Sequence, residues 1–291
     1  MKLAICVKEV LDARLPLRVV PQTGEILQAA TGPITLINPA DRAGLEVALQ
    51  IRDSIPGSRA EAFSVCEAHQ QAALCFALAR GADAAERIAP HPRYAGPPHT
   101  ALLLASRFHS DPFDLICCGD ETLDNASAVV GPVLAELLDL PQVTGVSRLR
   151  ECTSKTLLAE RSLERGHREL VEMELPGLVT FKAEAAEPKY VSLRRIQQAQ
   201  RNPIPARQVE VQFCEARLPK WPEGERRAPP RARVKRKFAP DANLPPAERV
   251  KLIMAGGMAA QQSNQVSSIL EGDADYLSEQ LFRFLKHHEF V

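Results

Sequence analysis

Short, mostly apolar runs alternate with one-faced amphipathic stretches along residues 1–140 of the chain. Leu3–Val7, Ala62–Val65 and Leu115–Cys118 are runs typical of buried parallel strands. The intervening stretches carry apolar side chains at helical spacing. They predict helices that contain Leu45, Ala48, Leu49 and Arg52; Gln71, Leu74, Cys75 and Leu78; Thr100 to Phe108; and Ala126 to Leu138. This alternation predicts an α/β chain with a doubly wound, mostly parallel sheet.

Two of these helices have readable ends. Asn38 has the side chain of a helix N-cap, Pro39 suits the first helical position, and Asp41 falls in the first turn. Gly81 is placed to end the next helix. A cap is one explanation of Asn38, and a place at the ligand edge of the sheet is the other.

The stretch Leu115–Gly145 is the one around which the chain is organised. An apolar strand ends at Gly119, a polar loop follows, and the helical pattern resumes near Ala126. Three residues are able to cap that helix: Asp124, Asn125 and Ser127. A helix that starts at the carboxyl end of a strand offers free N–H groups to an anion, most often a phosphate. An ordinary strand-to-helix turn with a good cap explains the same pattern.

Beyond residue 144 the pattern of apolar and polar residues changes from alternating strands and helices to hairpins. The patterns predict a hairpin of 157–161 and 170–174 around Arg165-Gly166-His167, a strand at Leu175–Phe181 and a helix at Arg194–Gln200, in addition to an early hairpin of 17–20 and 25–28 around residues 21–24. Pro203 and Pro205 follow and favour an end to the compact domain. We therefore predict one domain over 1–205 and a separate segment over 206–291.

The segment after residue 205 reads as an arm with a terminal helix. Lys220–Lys237 contains eight basic and two acidic residues interleaved with prolines, which predicts an extended arm, either a solvated linker or a strap on an acidic partner surface. One face of the terminal helix carries Leu277, Leu281, Phe284 and Leu285. We expect that face and the Leu178–Phe181 region to be covered by a partner.

Composition narrows the class of protein. The 36 basic and 36 acidic residues cancel, and aromatic residues for base stacking are few, which argues against a nucleic-acid partner. The seven cysteines form no Cys-x-x-Cys pair and are typical of buried thiols in a reducing compartment. No apolar run has the length of a membrane span or of a signal peptide. We expect a cytoplasmic protein with no membrane span and no metal site.

No catalytic motif of a hydrolase, zinc protease or P-loop enzyme occurs in the sequence. An ATP pyrophosphatase on the same kind of sheet needs a Ser-Gly-Gly-x-Asp-Ser loop after the first strand, whereas Val7–Asp12 contains no glycine. The chain is therefore not expected to be an enzyme by itself. An adenine-nucleotide-binding module or enzyme without a redox role stays as the alternative.

Six segments together resemble the β subunit of electron transfer flavoprotein, the EtfB/FixA family. In family order they are AICVKEV, INPADRAGLEVAL, ALARGADAAERI, DLICCGDETLDNASAVVGPVLAELLDLPQVTGV, ERSLERGHRELVEMELPGLVTF and EPKYVSLRRIQQAQ. None of them is specific alone, but six in register over residues 1–205 are. The resemblance implies an adenine-nucleotide α-hydrolase-like sheet. It also implies a heterodimer with an α subunit that holds the redox FAD. A dehydrogenase would donate electrons to this heterodimer, and a downstream acceptor would receive them.

The resemblance also implies a nucleotide in this chain, AMP in the ordinary type of the family and a second FAD in the electron-bifurcating type. The cofactor-binding residues it carries over are Cys6, Asn38, Pro39, Ala40, Asp41, Val65, Gly119, Asp120, Glu121, Thr122, Leu123, Asp124, Asn125, Ala126, Ser127, Ala128, Val129 and Val130. Glu187–Leu193 matches the family's recognition loop, so Leu193 is expected to contact the dehydrogenase.

Two positions depart from the family pattern. Ala128-Val129-Val130-Gly131-Pro132 resembles the Ala-Gln-Val-Gly-Pro of the bifurcating type but lacks its Gln. Val129 removes one side-chain hydrogen bond, worth about 0.5–1.5 kcal/mol net, and leaves the backbone N–H groups in place. Cys66-Glu67 stands where the family usually has Gly-Pro. Both departures bear on how tightly the nucleotide binds.

Overall fold

The computed structural model describes residues 1–12, 18–19, 26–27, 35–91, 96–209, 244–254 and 272–287. The chain divides into two compact units, Met1–Glu223 and Gly224–Val291. Each unit is described by itself.

The first unit alternates strands and helices. Its strands are β1 (Lys2–Cys6), β2 (Glu9–Leu11), β3 (Arg18–Val19), β4 (Ile26–Leu27), β5 (Thr35–Ile37), β6 (Arg59–Val65), β7 (Ala84–Ile88), β8 (Leu115–Gly119), β9 (Gln142–Cys152), β10 (Thr156–Ser162), β11 (Arg168–Glu174), β12 (Gly177–Phe181) and β13 (Ala206–Arg207). Its α-helices are α1 (Pro39–Ser54), α2 (Ala72–Arg80), α3 (Pro97–Ser110), α4 (Val130–Leu137) and α5 (Leu193–Arg201).

Nine of the strands form one sheet in the order β11-β10-β9-β12-β8-β1-β6-β7-β13. The six strands from β12 to β13 pair in parallel, β12 also pairs in parallel with β9, and only the β9-β10-β11 end is antiparallel. The predicted mostly parallel sheet is thus confirmed. A parallel sheet needs cover on both faces, because its strands are apolar on both sides.

Helices supply that cover on both faces. Helices α1 and α2 pack Leu45, Leu49 and Leu74 on one face, and α3 and α4 pack Phe108 and Leu134 on the other. On the second face, three phenylalanine rings meet edge to face at centroid distances of 5.0–5.4 Å: Phe63, Phe108 and Phe113. The doubly wound arrangement therefore places the carboxyl ends of the central strands between two layers of helix.

Five strands escaped the sequence pattern: β2, β5, β7, β9 and β13. In β7 the charged residue Glu86 breaks the apolar run that would predict a strand. Its carboxylate accepts a hydrogen bond from Arg107 of α3 at 2.9 Å, which allows the charge to lie within the sheet domain. β9 buries only Val143 and Val146, which are three positions apart and so break the period of two. β13 is two residues long and pairs in parallel with β7 through Ala206 and Arg207. The pairing of β13 continues the sheet past residue 205, the predicted end of the domain.

Both predicted hairpins are present. β3 pairs antiparallel with β4, and the turn at 21–24 lies outside the described residues. β10 pairs antiparallel with β11, and Arg165 in their connection has a φ of 58°. The expectation that Leu178–Phe181 awaits a partner is wrong: β12 lies between β8 and β9, and all five of its residues are buried. A central strand reads like an exposed apolar patch in sequence.

The second unit contains helices α6 (Pro246–Met254) and α7 (Ala274–His287) among its described residues. α7 confirms the predicted terminal helix, and the Asp273 carboxylate accepts the N–H of Tyr276 at 2.8 Å, as a cap does. Leu281 is 59% exposed. The Lys220–Lys237 arm lies outside the described residues. Within the described ranges, no helix has the length and apolar character needed to cross a membrane.

Candidate functional site

A cavity of about 280 Å³ opens where β1, β6 and β8 end. This is the carboxyl edge of the parallel sheet, where open α/β sheets bind their ligands. Twelve of the predicted cofactor-binding residues line this first cavity: Cys6, Asp41, Val65, Gly119, Asp120, Glu121, Thr122, Asn125, Ser127, Ala128, Val129 and Val130. The topology thus brings together side chains that are more than one hundred residues apart in sequence.

Five of the other six predicted residues line a second cavity beside the same 120–129 loop. This second cavity of about 480 Å³ is lined by Asn38, Pro39, Ala40, Leu123 and Ala126, and it shares residues 120–122 with the first. Asp124 is not among the lining residues of either cavity. The predicted set therefore divides mainly between two cavities that share part of one loop.

The loop is longer than the pattern predicts. Helix α4 begins at Val130 rather than near Ala126, and the residue before it, Val129, makes no side-chain cap. The prediction that Asp124, Asn125 or Ser127 caps this helix is therefore wrong. The apolar spacing extends into the loop because Ala126 and Val129 match the helical period by chance, while the backbone there turns back on itself.

The backbone conformation of this loop is suited to an anion. Ala126 and Ala128 have φ values of 49° and 51°, an unfavourable region for a residue with a Cβ. Val129 is right-handed helical, with φ −97° and ψ −35°. A left-handed residue followed by a right-handed one turns successive N–H groups toward one point, an arrangement called a nest. The first-turn N–H groups of α4 have no intrahelical acceptor and add to it.

Asn38 holds the 120–129 loop in place. It occupies the predicted N-cap position of α1, but its side chain makes no cap bond to that helix. Instead its Nδ2 donates to the carbonyl oxygen of Glu121 at 2.8 Å, and its Oδ1 accepts the N–H of Leu123 at 3.2 Å. Asn38 is 1% exposed, so both bonds are shielded from water. The side chain therefore fixes the 120–129 loop against the start of α1.

Asp41 joins the same loop to β1. Its Oδ2 accepts the N–H of Lys8 at 2.8 Å, and its Oδ1 accepts Nδ2 of Asn38 at 3.1 Å. Burial raises the pKa of Asp41 to about 7, although these hydrogen bonds and one from the N–H of Gly119 act to lower it. A Cβ on Gly119 would lie 2.0 Å from Oδ1 of Asp41. Only glycine therefore allows β8 to end this close to α1.

Lys8 reaches from the end of β1 to the loop. Its Nζ lies 2.8 and 2.6 Å from the two carboxylate oxygens of Asp124. Burial acts to raise the pKa of Asp124, but the hydrogen bonds from Lys8 and Thr122 outweigh it, and the pKa lies below its ordinary value. The ion pair links Lys8, in the wall of the first cavity, to Asp124 of the 120–129 loop.

Several lining residues were missed by the sequence reasoning: Phe63, Ser64, Gly96, Pro97, Thr100, Leu104 and Cys118. The Gly96-Pro97-Pro98 start of α3 was a readable signal, since proline favours the first helical position. Phe63 and Leu104 look like ordinary core residues in sequence. A hydrogen bond with Cys118 and burial raise the pKa of the Cys6 thiol, which therefore stands in the cavity wall as a neutral thiol.

Leu193 lies away from both cavities, at the first position of α5. It is 65% exposed, and Tyr190 in the segment before it is 88% exposed. The alternative that Leu193 packs inward is therefore wrong. Ser192 caps α5 by accepting the N–H of Arg195.

The sheet and cavity define an open α/β protein with a cavity at the carboxyl ends of its parallel strands. The model of the family described as electron transfer flavoprotein domain matches residues 29–212. The electron transfer flavoprotein β subunit of Thermoanaerobacterium thermosaccharolyticum is 34% identical over 67% of this chain and 74% of its own length. The electron transfer flavoprotein β subunit of Bacillus subtilis is 30% identical over 94% of this chain and 99% of its own length. A caffeyl-CoA reductase–Etf complex subunit of Acetobacterium woodii is 31% identical over 70% of this chain and 77% of its own length.

This chain belongs to the electron transfer flavoprotein β-subunit family. The resemblance found in the six sequence segments is confirmed. Curated relatives of this chain carry names of electron-transfer subunits, two of them within reductase complexes.

Proposed function

We propose that this chain pairs with an FAD-bearing α subunit and that the heterodimer passes electrons from a dehydrogenase to a downstream acceptor. The family membership supports the electron-transfer role. The single observation that carries the nucleotide part is the 280 Å³ cavity, because the loop over residues 119–130 forms one of its walls. In this proposal the chain is a carrier subunit and not an enzyme.

The nucleotide in the first cavity is AMP or a second FAD, and both contain the same adenylate group. The N–H groups around Ala128 and Val129 suit a phosphate, and Phe63, Val65 and Leu104 supply apolar wall for an adenine ring. A bound FAD would add a second redox centre, whereas AMP would leave the redox chemistry to the α subunit. The residues therefore fit the group that the two nucleotides share.

Cavity size bears on the choice between them. Small-molecule sites usually measure about 300–1,000 Å³, and this cavity, at about 280 Å³, is near the small end. The adenylate part fills such a space, and the flavin half of an FAD would lie outside it. Val129 in the place of the family's Gln leaves binding to the backbone N–H groups.

The test is coexpression with the α-subunit gene, followed by purification, denaturation and chromatography of the released nucleotides. One FAD and one AMP per heterodimer indicate the ordinary type, and two FAD indicate the electron-bifurcating type. Purification of this chain without a flavin-bearing partner would contradict the proposal and favour a nucleotide-binding module or enzyme without a redox role.

We further propose that Leu193 anchors the dehydrogenase. An exposed leucine offered at a helix start contributes about 1.5–3 kcal/mol when fully buried by a partner. Leu193→Ala is expected to slow electron transfer from the dehydrogenase tenfold or more, while melting temperature and flavin content stay unchanged, since about 1.4 kcal/mol corresponds to one decade.

Leu170→Ala is the matched control for Leu193→Ala, because Leu170 is 63% exposed on β11, away from α5. It is expected to leave the electron-transfer rate unchanged. A full rate in Leu193→Ala would remove the anchor role.

A further inference from the structure

Lys8 lines the first cavity, and its backbone is fixed by hydrogen bonds. Its N–H donates to Asp41 at 2.8 Å, and its carbonyl oxygen accepts the N–H of Asn38 at 2.9 Å, so its backbone is held at both polar groups. The side chain is 45% exposed, and its ammonium group sits on the Asp124 carboxylate. A fixed backbone with a long, half-exposed side chain is free to redirect its charge.

The charge of the cavity wall makes Lys8 distinctive. Within the described part of the chain, Lys8 is the only lysine or arginine among the lining residues, whereas Asp41, Asp120 and Glu121 contribute carboxyl groups. Such a wall repels a phosphate unless a cation offsets it. In this structure the ammonium group of Lys8 donates hydrogen bonds to both carboxylate oxygens of Asp124.

We propose that Lys8 is the residue by which the cavity recognises the charge of a nucleotide phosphate, and that Asp124 competes with the phosphate for it. This inference rests on the proposed nucleotide site. In this proposal the Lys8–Asp124 ion pair breaks when an adenylate binds. The nest at Ala128 and Val129 supplies N–H groups, and Lys8 supplies the full charge that separates a nucleotide from a nucleoside.

Competition by Asp124 distinguishes this role from a structural one. If the ion pair only holds the loop in place, removing either partner weakens binding in the same direction. If Asp124 competes, removing Lys8 weakens phosphate binding and removing Asp124 strengthens it. The two substitutions therefore give opposite signs only under the proposal.

The experiment measures binding of AMP and of adenosine by calorimetry to the full-length chain freed of nucleotide. Lys8→Gln is expected to weaken AMP binding tenfold or more and to leave adenosine unchanged. Asp124→Asn is expected to tighten AMP binding severalfold, again without effect on adenosine. The double variant is expected to match Lys8→Gln, because no cation is left to release.

Lys182→Gln is the matched control, since Lys182 lines the second cavity and not the first. It is expected to leave both affinities unchanged. Weaker AMP binding in Asp124→Asn, or equal loss of AMP and adenosine in Lys8→Gln, would overturn the role of Lys8 and leave the nucleotide site standing. A wild-type chain that binds neither molecule would overturn both.

Discussion

At the scale of single residues, the edge of the site depends on one close approach. Gly119 ends β8 where the first turn of α1 passes, and a Cβ there would meet Oδ1 and the backbone nitrogen of Asp41 at 2.0 and 2.9 Å. The nitrogen belongs to a helix and cannot move aside as a flexible side-chain end does. The strand and the helix are in contact at this point because one residue lacks a side chain.

Gly119→Ala is expected to lower the free energy of unfolding by about 1–3 kcal/mol, as overpacking does, and to displace the 120–129 loop. Chemical denaturation and the AMP affinity of the chain measure the two effects. Gly44→Ala is the control, because its Cβ would meet Cδ2 of Phe181 at 3.3 Å and a helix interior favours alanine over glycine. Equal stability of both variants would contradict the close approach.

Asp41 gives the protein a predictable dependence on pH. Its pKa is raised by burial to about 7 in the folded chain, from the ordinary value of 3.8. The folded state therefore retains a proton that the unfolded state releases, and the stability from this group falls as pH rises from 4 to 7. One pKa unit corresponds to about 1.4 kcal/mol, so the full shift is worth about 4 kcal/mol, of which about 3–4 kcal/mol is lost between pH 4 and 7.

Urea unfolding of the wild type and of Asp41→Asn across this pH range measures the effect. The advantage of the wild type over the variant is expected to shrink as pH rises from 4 to 7. An advantage that stays constant or grows would show that Asp41 is ionised throughout.

At the scale of elements, a buried carboxylate links two helices to the segment that carries Leu193. Glu46 of α1 is fully buried, and its oxygens accept Nε and Nη2 of Arg80 in the last turn of α2 at 2.5 and 2.6 Å. Its Oε1 also accepts the N–H of Lys189 at 3.2 Å. The Glu187–Leu193 segment, which carries the proposed anchor, is thus hydrogen-bonded to the core of the sheet domain through Lys189.

Glu46→Gln is expected to lower the free energy of unfolding by about 3–5 kcal/mol, because Arg80 is left in a largely buried place without its counter-charge. Equilibrium denaturation measures it. The double variant Glu46→Gln with Arg80→Met is expected to recover most of the loss, since an apolar pair of similar size replaces the ion pair. A single variant as stable as the wild type would show that the pair contributes little.

At the scale of the whole molecule, the described buried apolar residues all lie in the first unit. The last of them is Ala199, which α5 packs on Cys75 and Ala79 of α2. A unit with its own core is expected to fold by itself. β13 is the edge strand of the sheet in this unit, and the N–H of Ala89 donates to the carbonyl oxygen of Arg207 at 2.9 Å.

A chain that ends at Glu223 is therefore expected to unfold cooperatively and to bind AMP as the full chain does. Circular dichroism and calorimetry measure this. A chain that ends at Arg201 lacks β13 and is expected to be less stable, because β7 becomes an unpaired edge. Failure of the longer fragment to fold would show that residues 224–291 are needed for the first unit.

The sequence by itself determined the layer architecture, because buried parallel strands and one-faced helices leave periods that are local in sequence. The order of Leu3–Val7, Ala62–Val65 and Leu115–Cys118 also placed the site at the strand ends, since parallel strands share one edge. The family segments named the same residues. β7 escaped because its charge on Glu86 is neutralised by arginines that are distant in sequence.

Only the tertiary structure decided how those residues work. Asn38 and Asp41 read as a cap and a first-turn acid, yet their partners, Glu121, Leu123 and Lys8, lie 33 to 85 residues away. The left-handed turns at Ala126 and Ala128 carry no signal, because alanine favours helices. Local propensity reports only neighbours along the chain, whereas the loop is held by hydrogen bonds that exist only once β1, α1 and β8 meet.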